Sequence, residues 1–145
     1  MPIARNGRIV ANMPPVITAL YGALNAIFNI YLANNVSTAR KVHKVSLGDN
    51  DHPKMLVAIR AHGNNAEFVP LAIIIMLLLE MCGADRVVLH TYGGLLLAAR
   101  VAHWIGLPRK SPNVFRFAGV AATWVLIVAG AIYLLVLRFQ ITGAI

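Results

Sequence analysis

Arg60-Ala61-His62-Gly63-Asn64-Asn65-Ala66-Glu67 runs without a break into Phe68-Val69-Pro70-Leu71-Ala72-Ile73-Ile74-Ile75-Met76-Leu77-Leu78-Leu79. The second stretch is apolar enough to be the body of a membrane-spanning helix. The first therefore places a guanidinium, an amide and a carboxylate inside or at the mouth of the bilayer. On the translocon scale each charge at mid-membrane costs roughly 2.5–3.5 kcal/mol, so such groups face a protein interior or a wet cavity. At about 100° per residue, Arg60, Asn64 and Glu67 fall within roughly 60° of one another on a helix. They form one polar stripe, and His62 points roughly 160° away from it, towards a different contact.

Composition points the same way. Of 145 residues, 59% are hydrophobic and only 12% charged, whereas about a quarter of a soluble domain is charged. The mean hydropathy is +0.70, so lipid is the solvent that this chain fits, and its length makes residues 1–145 a single domain. Net charge is +8, but the lysines and arginines lie between apolar runs instead of in a basic domain with stacking aromatics. That pattern argues against nucleic acid and for an anionic small ligand or acidic lipid headgroups. The one cysteine, Cys82, has no partner for a disulfide and no metal-ligand spacing around it; it reads as an inert buried thiol.

A spanning helix needs about 20 apolar residues, and four segments are candidates: about 16–35, 53–82, 86–107 and 113–138. Pro14-Pro15 precedes the first, Gly83 stops the second, Gly106 and Pro108 close the third, and Trp124 and Tyr133 lie within the fourth. The fold expected is all-α, an integral membrane four-helix bundle. Asn25, Asn29 and Asn34 give the first helix a polar edge, and Asn25 with Asn29 at i, i+4 are expected to bond across helices. The longest loop is expected from Arg40 to Lys54. The N-terminal segment lacks a clear small-residue cleavage site and is not expected to be a cleaved signal peptide.

Loop charge sets an expected orientation. Arg40, Lys41, Lys44, Lys54, Arg109, Lys110 and Arg116 flank the first and third loops, against Arg5, Arg8, Arg86 and Arg138 on the other side. By the positive-inside rule, loops one and three are cytoplasmic and both termini are extracytoplasmic. Arg60, Arg100, His103 and Arg116 then converge on the cytoplasmic end, where a water-soluble anion can reach them.

Arg60, His62, Asn64, Glu67 and Pro70 resemble the second-helix signature of the MAPEG family, the membrane-associated proteins in eicosanoid and glutathione metabolism. Arg100-Val101-Ala102-His103, with Arg116 sixteen positions after Arg100, resembles the family's third and fourth helices. The likeness implies a homotrimer of four-helix protomers in the cell inner membrane, with glutathione as co-substrate held between neighbouring subunits. It also implies that Arg60, Asn64 and Glu67 grip the charged ends of the tripeptide, with His62, Arg100 and His103 beside them. Arg40 looks like a further carboxylate clamp, and Arg116 occupies the place of a thiol-activating arginine. The chain differs from the family pattern at Leu107, one turn past His103, where family enzymes often carry a tyrosine, and at Phe117, where a hydroxyl residue is common.

The residue types suit that chemistry. Glutathione has two carboxylates and an ammonium, which planar arginine forks and a glutamate respectively match. Its thiol has a pKa near 8.5 and only the thiolate attacks. A guanidinium that lowers that pKa by about two units supplies about 2.7 kcal/mol of selective thiolate stabilisation. The expected activity is conjugation or reduction of lipophilic electrophiles and peroxides that arrive from the bilayer, a transferase or peroxidase role in detoxification. The alternative is a non-catalytic binding or scaffold protein of the same fold. Each assignment has a plainer competitor: a structural ion pair or hydrogen bond for the Arg60 to Glu67 stripe, snorkelling for Arg100 and His103, a subunit contact for His62, an interfacial charge for Arg116, and a solvated basic collar for Arg40. A small transporter would require broken helices or polar residues along several spans, and helices three and four show little of either away from their cytoplasmic ends.

Overall fold

The structure, a computed structural model, describes residues 14–143; Arg5 and Arg8, invoked above for orientation, lie outside them. Four helices account for nearly all of that span: α1 (Val16–His43), α2 (Pro53–Met81), α3 (Arg86–Gly106) and α4 (Val114–Thr142). The all-α expectation holds, with no strand among the described residues.

Each boundary has a local cause. Pro53 starts α2 at a position where its missing N–H costs nothing. Asp85 caps α3, its carboxylate accepting from the N–H groups of Val87 and Val88 at 2.8 and 3.3 Å, and the Asn113 side chain accepts from Arg116 N–H at the start of α4. At the other end of α4, Gly143 takes the left-handed conformation (φ 66°) that closes a helix. Helix α1 extends to His43, past the expected end near residue 35. The apolar run stops at Ala33, but the residues that follow, Asn34 to Lys41, include neither Gly nor Pro. The backbone ladder therefore continues until Lys44 turns left-handed at φ 54°.

Three helices, α1, α2 and α4, are long and apolar enough to cross a membrane. The remaining helix of the four, α3, is 21 residues long, and His90, Arg100 and His103 make it more polar than the other three. The bundle supplies partners for all three of these side chains.

The interior divides along its length. Ile17, Ala72, Ile75, Met76, Leu79, Leu89, Tyr92 and Leu96 make a dry core where α1 and α3 begin and α2 ends. Towards the other end, α3 and α4 approach so closely that a Cβ on Gly119 would lie 2.6 Å from the Ala99 carbonyl oxygen and 2.7 Å from His103 N. Gly106 likewise abuts the backbone of Arg116. No other residue fits there without a backbone shift.

Glu80 closes the dry end. Its two carboxylate oxygens accept from Ile17 N–H at 2.9 Å and Thr18 N–H at 2.7 Å, so the last turn of α2 caps the first turn of α1. Those donors have no intrahelical acceptor, and a negative charge there also complements the helix dipole. Removing a charged acceptor from two amide donors is expected to cost about 1.5–3 kcal/mol. Glu80→Ala should accordingly lower the thermal midpoint of detergent-purified protein, and Glu80→Gln should lower it less. Unchanged midpoints in both variants would refute the capping role.

Candidate functional site

Arg100 is only 1% exposed, although it is a charged residue in a helix flanked by membrane-spanning neighbours. Its guanidinium is distributed over two helices. Nε donates to Asn65 Oδ1 at 3.2 Å and Nη2 to Asn64 Oδ1 at 2.6 Å, both on α2. Nη1 donates to Thr123 Oγ1 at 3.2 Å on α4, and that hydroxyl passes its own proton to Gly119 O at 2.7 Å. All of these partners are neutral, so the charge is solvated by oriented amide and hydroxyl dipoles in place of a counter-ion. Asn65 continues the network into α1, its Nδ2 donating to Asn29 Oδ1 at 3.0 Å. That last contact is the cross-helix bond expected for Asn29. Asn25 does not make one and bonds instead to Tyr21 O of its own helix.

One turn further along α3, buried His103 places Nδ1 3.3 Å from the backbone oxygen of Arg116. A carbonyl can only accept, so Nδ1 must carry the proton in this contact. His103 thereby pins the first turn of α4 to α3. Hydrogen bonds from Arg100 to Asn64 and Thr123, and from His103 to the Arg116 backbone nearer the end of α3, join α2 through α3 to α4.

The side chains expected to meet a ligand do not all have the same role. Arg60, Glu67 and Arg116 are exposed on the protomer, and His62 and Asn64 are half-buried. The expected polar stripe therefore splits: Asn64 turns to Arg100, while the stripe's two charged members face outwards. Arg40 is half-buried, and its Nη1 donates to the carbonyl oxygens of Ser46 and Gly48, both at 3.2 Å. It ties down the loop between α1 and α2, a structural use that the sequence reading did not anticipate. Asn65 and Thr123 were also missed. A second asparagine beside Asn64 was a visible signal, but Thr123 stands in an apolar run where nothing in the sequence says which face meets α3. Among the described residues there is no group of three or more His, Cys, Asp or Glu that could hold a metal ion.

Because Arg100 serves three acceptors at once, its replacement has a defined cost. Arg100→Met should destabilise the protein by about 2–4 kcal/mol, since buried Asn65 and Thr123 lose a donor that water cannot replace and half-buried Asn64 loses its own. Arg100→Lys should recover only part, because a single ammonium cannot reproduce a planar three-way fork. Thermal unfolding in detergent checks both; a wild-type midpoint for Arg100→Met would show that the network carries no stability.

Comparison with known proteins agrees with this architecture. The MAPEG family model matches residues 18–136, which takes in the network from Asn29 to Thr123 and most of all four helices. The inner membrane protein YecN of Escherichia coli strain K12 is 36% identical over 111 residues, 75% of this chain and 82% of that protein. YecN of Escherichia coli O6:H1 is similar to the same extent. With the family's pattern spread across the whole helical region and the relative's identity covering most of both chains, this four-helix membrane protein belongs to the MAPEG family.

Proposed function

We propose that this protein binds glutathione at the Arg100 end of the bundle and uses the bound thiol, as a transferase or peroxidase, on lipophilic electrophiles. The observation that carries the reading is the division of labour among its cations. Arg100 is consumed by the scaffold, while Arg60, Glu67 and Arg116 are exposed on the α2 and α4 segments that Arg100 and His103 tie to α3. Two outward guanidinium groups and a carboxylate match a molecule with two carboxylates and an ammonium. Family membership supports the same ligand.

In this reading Arg60 and Glu67 grip opposite charges of the tripeptide, with His62 and Asn64 along the same turn region of α2. The Arg116 guanidinium lies next to the sulfur and favours the thiolate. Arg100 and His103 act as positioning residues that set the height and angle of α2 and α4. Arg40 shapes the loop beside the site. A homotrimer completes the site between subunits, and an unburied α2 face supports such association: Leu56, Arg60, Glu67, Pro70, Ile74 and Met81 are all exposed and recur at three-, four- and seven-residue intervals. The electrophile enters from the lipid, where it is already concentrated.

A second reading, glutathione binding without chemistry, is favoured by Leu107 at the end of α3, where a tyrosine hydroxyl would otherwise be available. Arg116 separates the two, because binding alone needs no guanidinium at the sulfur. Arg60→Ala and Glu67→Gln should each weaken glutathione binding by about 1.5–3 kcal/mol in a titration on purified protein. Arg116→Ala should leave affinity nearly intact but lower the rate with a chloronitrobenzene on the order of 10-fold or more, with loss of thiolate absorbance. Unchanged affinity in both clamp variants would sink the site, and wild-type binding without thiolate or turnover would select the scaffold reading.

The protein is further proposed to lie in the inner membrane with the loops between α1 and α2 and between α3 and α4 cytoplasmic. In a Cys82→Ala background, Asp49→Cys should resist an impermeant thiol reagent applied from outside, and Ile3→Cys should react. The reverse pattern would move the site to the other compartment.

A further inference from the structure

A cavity of about 300 Å³ lies between α1, the first turns of α2 and the end of α3, at the lower limit of the 300–1,000 Å³ or so typical of small-molecule sites. Leu32, Val57 and Ile105 give it apolar walls, and Ala58 and Ala61 leave it open because their side chains end at Cβ. Trp104 forms another wall, held edge-on against Phe28 and Tyr31 at ring separations of 6.1 and 5.4 Å. Lys54, the second residue of α2, is exposed, whereas Ala61, seven residues or about 10 Å further along the helix, is buried. The cavity therefore runs inwards from the loop end of the bundle. A lysine and a tryptophan at a helix end are the side chains that favour the membrane–water boundary.

Lys54 is the one charged residue in the lining among the described residues. Neighbouring cations are already engaged: Arg40 donates to the Ser46 and Gly48 carbonyls, and the Arg109 guanidinium lies 4.8 Å over the Phe115 ring. The Lys54 ammonium has no hydrogen bond or ion pair among the described residues, and neither Asp49 nor Asp51 of the preceding loop lines the cavity. Lys54, Val57, Ala58 and Ala61 form one stripe of α2, roughly 150° around the helix from the stripe of Leu56, Arg60, Glu67 and Ile74. A second copy seated on that other stripe leaves this cavity open.

We propose that the cavity takes one acyl chain of an anionic phospholipid whose headgroup phosphate pairs with Lys54. The chain covers the apolar walls, and the phosphate supplies the counter-charge that the protein does not. A water-soluble anion leaves the walls uncovered, and in a zwitterionic lipid the headgroup's own cation offsets the attraction. The binding uses none of Arg60, Glu67 or Arg116 and does not require glutathione.

The test uses the full chain in phosphatidylcholine nanodiscs that contain, at equal mole fractions, phosphatidylglycerol or phosphatidylcholine with a diazirine on the same acyl chain. Labelling of residues 54–61 and 104–108 is then quantified. Phosphatidylglycerol should label them about 5-fold more strongly, the ratio expected for one lysine at an anionic headgroup. Lys54→Ala should bring the two probes level, Lys54→Arg should keep the preference, and so should Lys41→Ala, which removes an exposed lysine outside the cavity. Ala58→Leu, at a half-buried wall position, should reduce labelling by both probes. Equal labelling in the wild type, a preference that survives Lys54→Ala or is lost equally in Lys41→Ala, or labelling undiminished by Ala58→Leu overturns the proposal. So does stronger labelling by a diazirine-bearing long-chain carboxylic acid at the same mole fraction, which would give the cavity to a single-chain acid, or no labelling by any probe, the result if another copy of the chain covers it.

Discussion

A guanidinium that is 1% exposed, with only neutral hydrogen-bond partners, places demands on everything around it. Burying a charge without a counter-ion is tolerable only when several dipoles point at it and none is left idle. Here α2 contributes two adjacent amide oxygens and α4 a hydroxyl, each within 3.2 Å of a different guanidinium nitrogen. Those distances hold only if three helices keep their rotation and height. Gly119 makes this possible on the α4 side: its missing side chain allows α4 to come close enough to α3 for Thr123 to reach Arg100.

The opposite end of the bundle solves a different problem. There the interior is apolar and the groups needing partners are the first backbone amides of α1, which Glu80 accepts from the neighbouring helix. One end is therefore tied by a buried cation among neutral acceptors and the other by a carboxylate among neutral donors. Among the described residues, the side-chain hydrogen bonds of both groups go to neutral partners. Such an arrangement fixes geometry through the directionality of hydrogen bonds, whereas an ion pair tolerates sliding.

This separation bears on function. An arginine committed to three protein acceptors has little left for a ligand, so the residues that hold the site together and the residues free to meet substrate are different. Arg100, His103 and Arg40 bond to the protein; Arg60, Glu67 and Arg116 do not depend on such burial, being exposed. Under the proposed function, a fixed frame with exposed charges at its surface suits an anionic ligand, because the frame's geometry is set before the ligand arrives.

Much of this was legible from the residues alone. The apolar runs, their Pro and Gly punctuation and the basic loops determine four helices, their order and their antiparallel succession, because hydropathy and backbone propensity are local properties. The spacing of Arg60, Asn64 and Glu67 marked α2 as carrying a group of polar side chains. What periodicity could not decide was which side of that stripe faced inwards. Only the packing of α3 against α2 and α4 turned Asn64 towards Arg100 and left Arg60 and Glu67 outside, recruited Thr123 from an apolar run, and stranded one oxygen of Asn25. The sequence by itself determined which segments are helices and which of them lipid can surround; the tertiary structure decided which polar atoms meet, since hydrogen bonds between residues 35 or more apart in the chain, such as Arg100 to Asn65, depend on helix rotation and distance that no local pattern encodes.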